Sequence, residues 1–391
     1  MTTTHSRPPG YWSIDDCRIE DLERIVGQTT ELTDYPHAEG IRQGVVVYSS
    51  AELREAMQDP LEYRQVLAEL AGVFADGPGI AVFTGAFDPG VVARASAAFD
   101  DLIAEQKRSG ATAGDHFAAP GANDRVWNAL EKLALAHPEV FVDYYDNDIL
   151  ALASTAWLGP GYQVTSQINV VNPGGAGQTV HRDYHLGFLS ADACSHYPEH
   201  VHRLSMTLTL QGAVAHCDMP VESGPTLYLP HSQKYGPGFL AYWREDFQEY
   251  FAANHVQLPL RTGDAVFFNP ALFHAAGSNH TADIRRMANL LQVSSAFGRA
   301  METVDRAAVV QAIYPSLLTR ACAGADRARL ERVIAASAEG YPFPTNLDND
   351  QPVDGMTPAS QADVVREALA GRRPVSEVTT SLARQMQDKR S

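Results

Sequence analysis

Between Tyr162 and about residue 296 the hydrophobic rhythm of the chain shortens, and that stretch limits what the whole can fold into. Short apolar runs occupy 162–171, 181–189, 203–214, 225–229, 256–260, 264–268 and 286–296. Turn residues separate them at 173–177 (Pro-Gly-Gly-Ala-Gly), Ser223-Gly-Pro225 and Thr262-Gly-Asp264. Many short strands with turn signals predict a sandwich or jelly roll, of which the cupin-like double-stranded β-helix is one form. Such a fold brings strands that lie far apart in sequence together at one mouth.

The flanks read differently. Residues 1 to about 45 are mixed and Pro/Gly-punctuated, a surface wrap with one short helix near 19–26. Helical periodicity covers 51–74, broken by Pro60, and 79–84 reads as a buried strand. Asp88-Pro89 starts a helix running to about Lys107, with proline in its first turn. The segment 125–158 has helical spacing interrupted at His137-Pro138, and 301–391 is helical again around a Pro/Asn/Asp-rich break at 342–358. The predicted layout is a single domain over 1–391. It has a mostly helical flank to about 160, a β core over about 161–297 and a helical extension from about 298.

Composition narrows the class of protein. A 391-residue chain with 45% hydrophobic and 20% charged residues is globular rather than disordered. A net charge of −17 argues against a phosphate-binding face, so nucleic acid is not the expected partner. Cys17, Cys194, Cys217 and Cys322 are widely spaced, which predicts neither a disulfide framework nor a thiolate zinc site. No signal core opens the sequence and no run approaches the ~20 apolar residues of a membrane span. The expectation is a cytoplasmic protein with a small-molecule substrate and no membrane partner.

Within the β-rich stretch, His181-Arg182-Asp183-Tyr184-His185-Leu186-Gly187-Phe188 stands out, with Phe273-His274, Asn279 and Arg285 far downstream. An imidazole and a carboxylate two residues apart on a strand share one face. A third ligand from elsewhere, for which His274 is the best candidate, completes two histidines and one carboxylate. That arrangement holds a metal on three sites and leaves the others open, as non-haem Fe(II) oxygenases do. Arg285 enters the next strand, where a guanidinium can grip a small dicarboxylate. Arg286 is adjacent, and alternation lets only one of the two enter the pocket.

The His-Arg-Asp at 181–183, the stretch ESGPTLYLPHS at 222–232, TGD at 262–264 and FHAAGSNHTADIRR at 273–286 together resemble the phytanoyl-CoA dioxygenase family. The motifs span about 160 to 297. The resemblance implies an Fe(II)- and 2-oxoglutarate-dependent dioxygenase on a double-stranded β-helix. It implies that His181, Asp183 and His274 bind iron and that Arg285 holds the far carboxylate of 2-oxoglutarate, with O2 as the second cosubstrate. Two departures stand out: Pro230-His231-Ser232 lacks the family's glycine, and Ala276 replaces a serine that helps bind the carboxylate. Gln167 and Asn169, sharing a face on the preceding strand, are the favoured substitutes, with Thr207 and Thr209 as further candidates. Halogenases of this superfamily carry a small residue in place of the aspartate, so Asp183 predicts hydroxylation or another oxidation of a C–H bond.

Other features carry milder expectations. His196, His200 and His202 are read as a loop near the mouth, because Pro198 interrupts a zinc-helix spacing. His185 shares the parity of His181 and Asp183 if the strand stays regular. The insertion 234–255 reads as a partly helical cover; Asp115-His116-Phe117 and Trp127-Asn128 precede the barrel, and the resemblance implies that they reach over its mouth. Asn279-His280-Thr281 matches a glycosylation sequon, which has no meaning in a cytoplasmic protein. Two rivals remain: a cupin-like binding protein without redox chemistry, and a metal-dependent hydrolase using the same three ligands.

Overall fold

The computed structural model describes residues 10–109, 122–343, 345–352 and 355–390. In chain order the strands are β1 (Gly40–Arg42), β2 (Val45–Ser49), β3 (Ile80–Thr84), β4 (Asn123–Val126), β5 (Gln163–Val171), β6 (Thr209–Ala215), β7 (Leu227–Leu229), β8 (Val256–Gln257), β9 (Ala265–Phe268), β10 (Phe273–Ala275) and β11 (Arg286–Ser294). The chain divides into two compact units whose segments interleave. No helix among the described residues is long and apolar enough to cross a membrane.

The first unit is drawn from Met1–Gly85, Gly114–Asn123 and Val170–Ala288. One of its sheets runs β1-β2-β3-β9-β6, and a smaller one runs β10-β7-β8. β2 lies parallel to β3, whereas β9 is antiparallel to both β3 and β6, with Phe268 opposite Ile80 on one side and Gln211 on the other. Val45, Val47, Ile80, Val82, Ala215, Val266 and Phe268 from the larger sheet meet Tyr228 of the smaller one in a shared core. Each buried valine, isoleucine or phenylalanine among them is worth about 1.5–3 kcal/mol of apolar transfer. A mixed helix-and-sheet chain with a large sheet of this kind fits a cupin-type fold.

Local chemistry sets the element ends. Asp59 accepts from the N–H groups of Leu61 and Glu62, and Pro60 occupies the first turn of the helix Pro60–Ala75. A second core gathers Tyr235, Phe239, Leu240 and Phe247 from the 234–255 insertion around Leu186, Leu229 and Phe273. That insertion is partly helical as expected, with helices Gly238–Ala241 and Glu245–Asn254.

The second unit is drawn from Ala86–Ala113, Asp124–Asn169 and Asn289–Ser391. Asp88 caps the helix Pro89–Arg108, and the helix Arg306–Cys322 packs on Ala129–Ala136 and Pro138–Tyr145. Asp143 receives Arg94 and Arg320 at 2.8 and 2.7 Å, tying helices together on that face. Helices Arg327–Ser337, Gln361–Ala370 and Val375–Asp388 complete the C-terminal region.

Three expectations change. Residues 40–45, the end of the stretch read as surface wrap, form β1 and the start of β2, and the buried run Val45–Tyr48 is the continuous apolar signature of a strand covered on both faces. The stretch 181–189 is not a strand beyond a bridge at His181: Tyr184 and His185 take φ of 63° and 47°, and a 3-10 turn covers His185–Phe188. The first part of 203–214 is the end of a helix, Glu199–Thr207, before β6 begins.

Candidate metal centre

Backbone pairing builds the centre inside the first unit. His181 and His274 exchange both main-chain hydrogen bonds as an isolated antiparallel bridge, N to O at 2.9 and 3.2 Å. Residues directly opposite in such a bridge project to one side, and the two rings lie 4.4 Å apart between centroids. The N–H of Asp183 donates to the Pro270 carbonyl at 3.0 Å, which anchors the residue beside that pair. One ligand atom each from His181, Asp183 and His274 lies within 4.8 Å of the others. Nε2 of His274 is 3.3 Å from Oδ2 of Asp183, and Nε2 of His181 is 3.8 Å from Oδ1.

The outer hydrogen bonds assign the tautomers. Nδ1 of His181 faces the Thr179 carbonyl at 2.8 Å, and Nδ1 of His274 faces the Leu272 carbonyl at 2.9 Å. A carbonyl only accepts, so each Nδ1 carries the hydrogen and each Nε2 turns a lone pair toward Asp183. A lone pair and a carboxylate oxygen at 3.3 Å repel unless a cation sits between them, so this donor set fits a divalent metal. Burial pushes the Asp183 carboxyl up, but positive charge on the His181 and His274 imidazoles when they are protonated, and the Gln211 amide, hold it below the usual carboxylate range. Burial, and then the neighbouring His274 ring, lower the pKa of His181, which keeps it neutral and able to ligate. The side chains of His181 and Asp183 stay 27% and 25% exposed, so the metal-facing side is reachable from outside.

Arg182, between the two candidate ligands, is buried with no carboxylate against it among the described residues. Its Nη2 donates to the carbonyls of Ser232 (2.6 Å) and Tyr235 (3.0 Å), and its guanidinium lies 5.1 and 4.9 Å from the ring centroids of Phe239 and Phe273. The Phe273 N–H in turn donates to Ser232 Oγ at 2.8 Å. One cation thereby ties the 181–183 segment to the strand that carries His274.

The arginine expectation needs correction. Arg285 is exposed, whereas Arg286 is buried and its Nη1 donates to the Gly277 carbonyl at 3.2 Å. β11 begins at Arg286, and its inward parity is that of Ala288, which packs in the core containing Tyr228 and Phe268. Phe268 lies 4.9 Å from the His274 ring, and Tyr228 stands opposite His274 in register. Burial lowers Arg286 to about 10, with the Cys217 and Tyr228 side chains acting the other way, so it remains a cation at neutral pH.

Gln167 and Asn169 lie in the second unit. Gln167 accepts from Arg125 at 2.7 Å and donates to Gln292 at 3.4 Å, so its amide is engaged there. Asn169 is buried, with an Oδ1 that has no partner among the described residues. At position 276 the side chain is a methyl; the nearby Ser278 hydroxyl accepts from the Gly177 N–H at 2.8 Å. His231 takes φ 70°, the left-handed conformation that glycine adopts freely, so the turn keeps the geometry without the glycine. Burial and then Lys234 push its imidazole down to about 4.

His185 leaves the parity of the ligands because the backbone turns at Tyr184. The 196–202 cluster is helical in part: His202 is buried with Nε2 facing the Cys194 carbonyl at 3.0 Å, while His196 and His200 are exposed. Among the described residues the only group of three or more metal-ligating side chains is His181, Asp183 and His274. Trp127 lies under Arg125 at 4.8 Å in the second unit, and Asp115-His116-Phe117 falls outside the described residues. Gln211 and Tyr228 were the residues that sequence reasoning passed over, whereas Arg286 was weighed beside Arg285 and not chosen. A lone glutamine inside the apolar run 208–215 was the available signal for the first.

The model of the family described as Phytanoyl-CoA dioxygenase (PhyH) matches residues 75–287, more than half of the chain. The chain belongs to the phytanoyl-CoA dioxygenase family. Similar solved structures include HygX from Streptomyces hygroscopicus with nickel, 2-oxoglutarate and hygromycin B bound, at 17% identity, 61% of this chain, 90% of that one and a TM-score of 0.43. The non-heme alpha-ketoglutarate-dependent carbocyclase SnoK from nogalamycin biosynthesis is 22% identical over 58% of this chain and 83% of that one, with a TM-score of 0.42. AviO1 from Streptomyces viridochromogenes Tue57 is 19% identical over 57% of this chain and 93% of that one, with a TM-score of 0.41. No curated protein matches the sequence. For this phytanoyl-CoA dioxygenase family member, the His-Asp-His group supports iron and 2-oxoglutarate as the cofactors, with the dioxygen standard for the family.

Proposed function

We propose that the protein is an Fe(II)- and 2-oxoglutarate-dependent dioxygenase that hydroxylates a C–H bond of a small molecule. The observation that carries the reading is the His181, Asp183 and His274 group, with both imidazole Nε2 atoms turned to one carboxylate. In this reading residues 1–391 serve one catalytic domain with a double-stranded β-helix core. Iron with 2-oxoglutarate supplies the oxidation: R–H, O2 and 2-oxoglutarate become R–OH, succinate and CO2. Each imidazole is braced by a carbonyl behind it, so the protein holds three ligands on one face and leaves the opposite face for the keto acid and dioxygen. Arg286 binds the far carboxylate of 2-oxoglutarate, and Tyr228 beside it supplies the hydroxyl that a serine at position 276 would have given. Asp183 occupies the position that a halide needs, which favours oxygen insertion over halogenation.

Anaerobic titration with Fe(II) and 2-oxoglutarate tests the reading. A visible metal-to-ligand charge-transfer band is expected with the native chain and is expected to vanish in His181→Ala and Asp183→Ala. A binding protein or a zinc hydrolase gives no such band, and its absence from the native chain sinks the proposal.

A further inference from the structure

Gln211 lies on β6 with its side chain 9% exposed. Its Nε2 donates to Oδ2 of Asp183. Ala215, two steps along the same strand face, packs in the core that holds Tyr228 and Phe268, so Gln211 points to the side where His274 lies. The amide orientation follows from charge: the reverse setting would put a carbonyl oxygen against a carboxylate, while this one puts a donor there. Its Oε1 has no hydrogen-bond partner among the described residues, although it is buried. Among the described residues the one hydrogen bond of the amide goes to the candidate metal ligand.

We propose that Gln211 is a positioning residue for the metal centre: its amide, bonded to Oδ2, fixes the rotation of the Asp183 carboxylate that faces both imidazoles. The inference rests on the metal-site reading above. A carboxylate free of the amide can rotate and engage a metal through both oxygens, filling one of the positions that 2-oxoglutarate and dioxygen require. With its rotation fixed, the aspartate takes one position and leaves the others for those molecules. Outer partners of this kind usually carry 10- to 100-fold in metal affinity or activity.

Cobalt(II) titration of the full chain, followed by its d–d absorption, tests the proposal without turnover. Gln211→Leu removes the amide, and Gln211→Glu keeps the shape but replaces the donor with a like charge. Expected are cobalt binding weakened by about 10- to 100-fold in both variants and a changed d–d band in the metal-saturated protein. Gln211→Asn, whose amide falls one methylene short, serves if the leucine variant does not fold. Native affinity and an unchanged band in any folded variant overturn the role of Gln211. Failure of the native chain to bind cobalt overturns the metal-site reading instead, so the two failures are told apart. A purely structural glutamine would lower the melting temperature and leave the cobalt spectrum as it was.

Discussion

A single methyl group at Gly238 should be costly for its size. It opens the helix Gly238–Ala241, and a Cβ built on it would overlap the Arg182 guanidinium. A side-chain tip usually moves aside, but this one is held between Phe239 and Phe273 and bonded to two carbonyls. Moving it forfeits at least one charged hydrogen bond, about 1.5–3 kcal/mol, and one cation–π contact, about 0.5–2 kcal/mol. Taking about 3 kcal/mol for the pair, and about 1 kcal/mol returned by alanine's better helix propensity, Gly238→Ala should destabilise by about 2 kcal/mol. The sign reverses once the guanidinium is gone. In an Arg182→Ala background the same substitution should be neutral or stabilising by up to about 1 kcal/mol, a coupling of about 3 kcal/mol. Equilibrium urea unfolding of the four proteins in the cycle measures this. Additivity within about 0.5 kcal/mol would show that the two residues do not meet as described.

Further outcomes follow from the same geometry. Arg286→Leu should raise the KM for 2-oxoglutarate by about 10- to 100-fold, the equivalent of one charged hydrogen-bonded contact, while Arg285→Leu leaves it within about twofold; steady-state succinate assays decide between them. Asn279, fully buried, donates to the carbonyls of Val171 and Ile284 at 3.0 and 2.8 Å. Asn279→Ala leaves both without their donor and should cost about 2–4 kcal/mol in urea unfolding. His37 sits between Glu69 (2.7 Å) and Glu62 (3.1 Å); burial lowers its pKa, yet hydrogen bonds and charge from the two glutamates raise it overall. Its contribution is therefore present below the unfolded pKa of about 6.5 and lost as pH rises through the folded value. The melting-temperature difference between the native chain and His37→Gln should shrink from pH 6 to pH 9, and a difference that grows would refute the sign.

Much of the centre was legible because it depends on residue type and short spacing. His181 and Asp183 are two positions apart, and the FHAAGSN stretch marks the third imidazole whatever its neighbours do. Several helices were equally local: the Pro60 and Pro89 first turns and the break at His137-Pro138 fall where proline chemistry puts them. β1 and β2 pair as an antiparallel hairpin around Gln43-Gly44, both at positive φ, and it was missed because β1 is only three residues long and the parallel partner of β2, β3, lies more than thirty residues downstream. Parity after Asp183 failed because two successive residues take positive φ, a choice that side-chain pattern does not report.

By itself the sequence determined the donor set, the family and the alternation that admits only one of two adjacent arginines. Which arginine is buried was decided by where β11 begins, a register set by its neighbours and not by the residues Arg285-Arg286 themselves. The hold of Gln211 on Asp183 and of Arg182 on Ser232 and Tyr235 likewise joins segments that only the tertiary fold brings within hydrogen-bond reach. Composition and spacing are local, whereas a hydrogen bond across the core requires the chain to have folded first.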